Sequence, residues 1–300
     1  MIVVTGATGN TGSAAAEALL ANGENVRVVG RDAAKLERFK AKGAEAFVAD
    51  VENGDEMARA FQGADAVYLV IPQALHREDF RAYQGRISDA YASAVSSSGV
   101  KYAVALSSIG AHNAAGTGPV VGLHEMEEKL NRIAGLNVLH LRPASFMENF
   151  LMSIEGIRMM NALPGAASAE APQPTIATKD IGHYAARRLA SRNFSSHSTQ
   201  ELLGPRDITM KEAASIIGHA IGRPNLAYVQ MPLILLESAL TSMGFPKSSA
   251  ALMIELWKGG NEGLLAPQEP RSAENTTPTT LEQFAEEVFA PQFQRRAAGA

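Results

Sequence analysis

The chain contains no cysteine. That excludes disulfides, thiolate nucleophiles and cysteine-ligated metals together. Positive charge is not in excess either: 27 Lys and Arg stand against 31 Asp and Glu, a net charge of −4. Neither nucleic acid nor an anionic membrane is therefore an expected partner. Aromatic residues are few, at 6%, with a single tryptophan. No apolar run approaches the ~18 residues of a spanning helix. The glycines that start at Gly6 leave no room for a signal peptide ahead of them, so the expectation is a cytoplasmic protein. What remains is ordinary globular composition, 46% apolar over 300 residues. That suits one large α/β domain, or one domain with a smaller appendage.

The informative stretch is Met1 to Lys35. Ile2-Val3-Val4 is a short β-branched run, and Gly6-Ala7-Thr8-Gly9-Asn10-Thr11-Gly12 follows at once. Ser13 to Ala21 reads as helix, and Val26 to Gly30 as a second strand. Strand, glycine turn, helix and strand within about thirty residues is the dinucleotide-binding arrangement. Glycine lets the backbone turn and lets its N–H groups approach phosphate oxygens, while the helix adds its positive dipole end. The spacing is G-x-x-G-x-x-G. It does not fit G-x-x-x-x-G-K-[ST], so a nucleotide triphosphatase is not expected.

The end of the second strand selects the cofactor. An acid there would accept from the 2′-hydroxyl of NAD, whereas an arginine accommodates the 2′-phosphate of NADP. The residue is Arg31, and Lys35 lies one helical turn further along. NADP(H) is thus preferred over NAD(H). Asp32 reads as the cap of the following helix. A third strand ends at Asp50-Val51. Asp50 fits either an adenine contact or a turn.

Further on, Ala66 to Ile71 is an apolar strand closed by Pro72, expected beneath the nicotinamide half of the cofactor. Asp79 to Ser98 reads as a long helix. Lys101 to Leu106 is a strand leading into Ser107-Ser108. Val120 to Ala134 is a helix carrying His124, and Leu136 to Leu141 a strand ending in Arg142-Pro143. Alternating strands and helices predict a parallel sheet covered on both faces. After Phe150 the pattern loosens. Residues 162–174 are rich in Ala, Pro and Gly and read as a loop. Asp180 and His183 read as a surface pair on one helix. The tail beyond Pro291 is expected to fray.

These residues resemble the NmrA-like group of atypical short-chain dehydrogenases/reductases, and within it the bacterial NAD(P)H:quinone oxidoreductases. The resemblance rests on Val3 to Gly12, on Val29-Gly30-Arg31-Asp32 with Lys35, and on Leu106-Ser107-Ser108. It continues through His124-Glu125-Met126-Glu127, Leu141-Arg142-Pro143, Glu148-Asn149 and Thr279 to Phe284. It implies a Rossmann-type doubly wound parallel sheet over residues 1–150. Residues 151–300 would form a smaller C-terminal α/β substrate lobe, with some chain exchanged between the two. It further implies that Gly6, Thr8, Gly9, Asn10, Thr11 and Gly12 hold pyrophosphate, and that Arg31 and Lys35 hold the 2′-phosphate. Asp50 and Val51 would meet adenine, and Ile71 and Pro72 would line the cofactor. Ser107, His124, Pro143 and Phe146 would surround nicotinamide and substrate, with Met147 and Asn149 on the substrate side.

The chain departs from the wider superfamily in one respect. Its reductases use a tyrosine as proton donor and a lysine four residues later. Here no tyrosine lies between Ser107 and Arg142. If His124 takes the lysine position, the residue four before it is Val120, which donates no proton. A quinone or related aromatic carbonyl lowers the need for such an acid, because its reduced oxygen is a delocalised phenolate. His124 and Ser107 are the candidate catalytic residues. His124 is the plausible donor, or it bonds the nicotinamide ribose; Ser107 binds either the substrate oxygen or the ribose. The His124 helix begins like H-E-x-x-H but has Glu128 in place of the second histidine, so no metal is expected. A homodimer is compatible with this reading. Two alternatives stand: an NADP(H)-sensing regulatory protein that binds a protein partner, and a tailoring oxidoreductase acting on an aromatic natural product.

Overall fold

Runs of Val, Ile, Leu and Ala that are apolar at successive positions form strands buried on both faces. The computed structural model describes residues 1–298; residues 299–300, the end of the expected C-terminal lobe, lie outside the described residues. The chain starts β1 (Ile2–Val4), α1 (Asn10–Ala21), β2 (Val26–Gly30), α2 (Ala33–Lys40), β3 (Glu45–Val48) and α3 (Gly54–Phe61). It continues β4 (Ala66–Leu69), α4 (Phe80–Ser98), β5 (Tyr102–Leu106), α5 (Val121–Asn131) and β6 (Asn137–Pro143). Next come β7 (Ser145–Phe146), α6 (Ile154–Met160), β8 (Ala162–Gly165), β9 (Gln173–Ile176), α7 (Thr178–Ser191) and β10 (His197–Leu202). The remainder is β11 (Asp207–Ile208), α8 (Met210–Ala220), β12 (Ala227–Gln230), α9 (Leu233–Ser242), α10 (Lys247–Asn261), α11 (Leu281–Phe284) and α12 (Ala290–Ala298).

Seven strands form one parallel sheet in the order β10-β6-β5-β4-β1-β2-β3. Winding reverses between β1 and β4, so the crevice for a ligand opens beyond the ends of those two strands. Helices cover both faces. Ala15, Ala16 and Leu19 of α1 share one core with Leu36, Phe39 and Ile181. Met57, Phe61, Ile87, Tyr91 and Met126 build the other, on α3, α4 and α5.

Two elements from beyond residue 150 return to this sheet. β10 pairs with β6 from His197↔Val138 to Leu202↔Pro143. α7 packs on α1 at Gly182, where a Cβ would stand 2.5 Å from Ala14 Cβ and 2.6 Å from Thr11 O. The rest of the C-terminal part forms two small sheets, β11-β9-β7 and β12-β8. Their core includes Met147, Ile157, Ile217, Phe284 and Phe289.

Three local expectations change. Residues 162–174 are not one loop, because Ala162–Gly165 pairs with β12 and Gln173 opens β9; two short edge pairings hide in a Pro- and Gly-rich stretch. Asp180 and His183 are no surface pair. Asp180 is buried and accepts hydrogen bonds from Thr279 N and Oγ1, while His183 is exposed. Residues 291–298 are helical where the sequence predicts fraying: α12 continues to Ala298, and Phe293 stacks on Phe289. Among the described residues no helix is long and apolar enough to cross a membrane.

Candidate active site

The glycine turn leaves β1 at the reversal point. Gly6 has φ +62°, and a Cβ on Gly12 would lie 2.2 Å from Gly6 O. Side chains at either position would push the turn and the first turn of α1 apart. Thr8, Gly9 and Asn10 are exposed, whereas Thr11 and Gly12 are buried. The first turn of α1 has neither a side-chain cap nor an acidic residue. Its N–H groups and dipole thus face the crevice without a competing anion, which fits a pyrophosphate. The turn is fixed from below. Thr5 Oγ1 donates to Tyr68 O (2.8 Å) and accepts from Val70 N (3.0 Å). The Tyr91 hydroxyl donates to Val70 O (2.8 Å), and burial pushes its phenol up, so it stays neutral.

At the end of β2, Arg31 is exposed and has no hydrogen bond or ion pair among the described residues. Asp32 is engaged by its own helix. Its Oδ1 accepts from Ala34 N (3.0 Å) and Lys35 N (3.4 Å), capping α2. Lys35 Nζ is 3.8 Å from Asp32 Oδ2 and is 70% exposed, so this pair is loose. At the end of β3, Asp50 Oδ1 accepts from Glu52 N (3.1 Å), closing a turn, and Val51 packs into the core. Glu52 binds Arg77 Nη1 (2.9 Å) and Arg86 Nη2 (2.9 Å), and the Arg77 guanidinium lies 4.3 Å from the centre of the Tyr83 ring. The sequence reading overlooked this cluster. Its residues come from three segments whose convergence no local spacing reveals.

Ser107 follows β5, next to β4 in the sheet, and is 3% exposed. Its Oγ donates to Glu127 Oε1 at 2.5 Å. Arg142, in β6, donates to the same carboxylate from Nε (3.0 Å to Oε1) and Nη2 (2.5 Å to Oε2). Glu127 is buried, so this bidentate pair is shielded from water. His124 precedes Glu127 by three residues and shares its face of α5. Its Nδ1 is 2.9 Å from Ala111 O. A carbonyl only accepts, so Nδ1 carries the hydrogen and Nε2 is the nitrogen left over. Ile71, Pro72 and Phe146 are half-buried and Pro143 is buried. Asn149 is exposed, its Nδ2 3.5 Å from Ser145 Oγ. Met147 is 1% exposed and belongs to the core of the C-terminal lobe. Next to it, Glu148 accepts from Thr178 N (3.1 Å) and Oγ1 (2.5 Å) at the start of α7, and burial pushes its carboxyl up.

The hairpin α9–α10 roofs two strand-end loops. Ser249 Oγ donates to Arg77 O (3.2 Å), and the ring of His76 sits 4.4 Å from that of Phe245. Glu255 accepts from Gly116 N (2.9 Å), and Asn113 Nδ2 donates to Leu264 O (3.0 Å).

Comparison with known proteins agrees with this architecture. The profile of the NmrA-like family matches residues 1–285. An NAD(P)H azoreductase of Xenophilus azovorans is 29% identical over 260 residues, 86% of each chain. The structure of the NADPH-dependent quinone oxidoreductase QOR2 of Escherichia coli, complexed with NADPH, superimposes with a TM-score of 0.81. It is 22% identical, over 96% of this chain and 100% of that one. NmrA, a negative transcriptional regulator, in complex with NADP, superimposes at 0.72 with 17% identity, over 98% and 97% of the two chains.

Proposed function

The chain belongs to the NmrA-like family, and from that premise we propose that it is an NADPH-dependent oxidoreductase acting on a quinone-like or related conjugated aromatic acceptor. The observation that carries this is the uncapped glycine turn at the β1/β4 reversal, with the unpaired cation Arg31 one strand away. Gly6 to Gly12 would hold the pyrophosphate, and Arg31 and Lys35 the 2′-phosphate. The cofactor supplies the hydride; the protein supplies position and electrostatics.

The proton side of the reaction follows from the tyrosines that are present. Tyr68 and Tyr91 are fully buried in the two cores, and burial pushes both phenols up. Neither is an acid at neutral pH. A two-electron acceptor whose reduced oxygen is a delocalised phenolate needs no strong acid, and water completes its protonation. His124 is the one candidate donor beside Ser107 and Glu127. Since Nδ1–H is committed to Ala111 O, it donates from Nε2 only as the imidazolium; as the neutral ring it accepts there. The azoreductase and quinone oxidoreductase among the similar proteins support this reading, and an aromatic natural product would be an acceptor of the same chemistry.

The sensor reading has two observations in its favour: the tyrosine acid is missing, and the likeness to the NADP-bound regulator NmrA extends over nearly the whole chain. Cofactor consumption separates the two. The protein is mixed with NADPH, then NADH, and nicotinamide absorbance is followed against simple quinones, aromatic carbonyls and an azo dye. Saturable loss with NADPH preferred is the expected result. Tight NADPH binding with no consumption across the panel would leave the sensor.

A further inference from the structure

Ser107 was left with two roles by the sequence: it binds either a substrate oxygen or a cofactor hydroxyl. The geometry decides between them. Glu127 Oε1 accepts from Ser107 Oγ at 2.5 Å and from Arg142 Nε at 3.0 Å, and Oε2 accepts from Arg142 Nη2 at 2.5 Å. A carboxylate clamped by a guanidinium is ionised and accepts only. The single hydroxyl hydrogen of Ser107 therefore points at Glu127. Ser107 Oγ has no second partner among the described residues, so what it offers elsewhere is a lone pair.

We propose that Glu127, braced by Arg142, is a positioning residue that fixes the Ser107 hydroxyl as a hydrogen-bond acceptor, so that the group meeting Ser107 must bring an N–H or O–H of its own. Resting on the NADPH reading, that group is the nicotinamide carboxamide or a ribose hydroxyl of the cofactor. It is not the carbonyl or phenolate oxygen of the acceptor, which needs a donor. Ser107 then contributes to holding the cofactor and not to stabilising the reduced oxygen, and that task falls to His124 and water.

The test is a double-mutant cycle on NADPH dissociation constants, measured by nicotinamide fluorescence without any acceptor. Its variants are Ser107→Ala, Glu127→Gln and the two combined. In Glu127→Gln the amide oxygen is expected to keep the shorter bond from Arg142 Nη2, which turns the NH₂ towards Ser107 and reverses the hydroxyl. Each single variant is expected to weaken NADPH about tenfold, the upper range for one neutral hydrogen bond, and the combination no further than either alone. Full additivity would overturn the proposal, because Glu127 would then act without Ser107.

A second variant guards against misfolding. Glu127→Leu with Arg142→Met removes the buried pair together, a change that buried ion pairs commonly tolerate. It is expected to unfold near the wild-type temperature yet bind NADPH as weakly as Ser107→Ala; wild-type affinity in that variant would also overturn the proposal. In turnover, Glu127→Gln should raise KM for NADPH and leave KM for a quinone unchanged. A wild-type protein that fails to bind NADPH would sink the cofactor reading and this inference with it. Tight wild-type binding with additive effects would sink this inference alone.

Discussion

Arg31 and Arg142 stand in the same sheet, at the end of β2 and within β6, and they handle one positive charge in opposite ways. Arg31 is exposed and unpaired, so its charge is available to whatever arrives. The Arg142 side chain is 15% exposed and holds, through Nε and Nη2, a carboxylate that is 5% exposed. The first arrangement costs the folded protein little and yields binding energy only when an anion comes. The second is part of the fold itself, and its charge is balanced inside the protein before any ligand arrives. One sheet thus carries a responsive charge and a fixed one.

Breaking the fixed pair gives the largest expected effect. Arg142→Met alone leaves Glu127 as a buried unpaired anion and should cost about 3–5 kcal/mol of stability, read by urea unfolding. A loss within 1 kcal/mol would mean that water reaches Glu127 and that the contrast is false.

His140 sharpens the same side of the contrast, since it lies two residues before Arg142 on β6. Burial holds its imidazole down to about 4, with Nε2 bonded to Asn131 Oδ1 at 2.8 Å and Nδ1 without a partner. The unfolded chain takes up this proton near pH ~6.5, so stability is full above that value. It should fall by about 3 kcal/mol as pH drops towards 4. Unfolding free energies of wild type and His140→Gln from pH 7 to pH 4 test this, and parallel curves would remove His140 as the cause.

On the responsive side, Arg31→Ala should leave stability unchanged and weaken NADPH relative to NADH by about 1.5–3 kcal/mol. Equal losses for both cofactors would take Arg31 out of the 2′-phosphate site. Lys35→Ala should have the smallest effect, under about 1 kcal/mol on NADPH, because the side chain is 70% exposed and screened. That difference should vanish in high salt; if it persists, Lys35 is held more firmly than its loose pairing with Asp32 indicates.

The same contrast marks what could be read from the sequence. The glycine turn, Arg31, Lys35 and the alternation of strands and helices are local patterns, set by residues a turn or a strand apart. They pointed to the fold class that the seven-stranded parallel sheet displays. Glu127 was passed over because in one dimension it is a helix residue in a motif that misses the zinc spacing. Its importance comes from Ser107 and Arg142, which are 20 and 15 positions away. Asp180 looked like a surface acid for the same reason: Thr279, which satisfies it, lies 99 residues on. Short edge strands such as Ala162–Gly165 exist only through their partner, and Pro and Gly conceal them.

The contact at Gly182 has a consequence for how the protein is made. The ribosome completes the turn from Gly6 to Gly12 long before it reaches α7, yet α7 is what covers the back of α1, with Thr11 O and Ala14 at the point of contact. β10 likewise closes the far edge of the sheet only after α7 has been laid down. The nucleotide turn is therefore written early and matured late. A nascent chain carries it braced from below by Tyr68, Val70 and Tyr91, but with the outer side of α1 uncovered until Gly182 has been made.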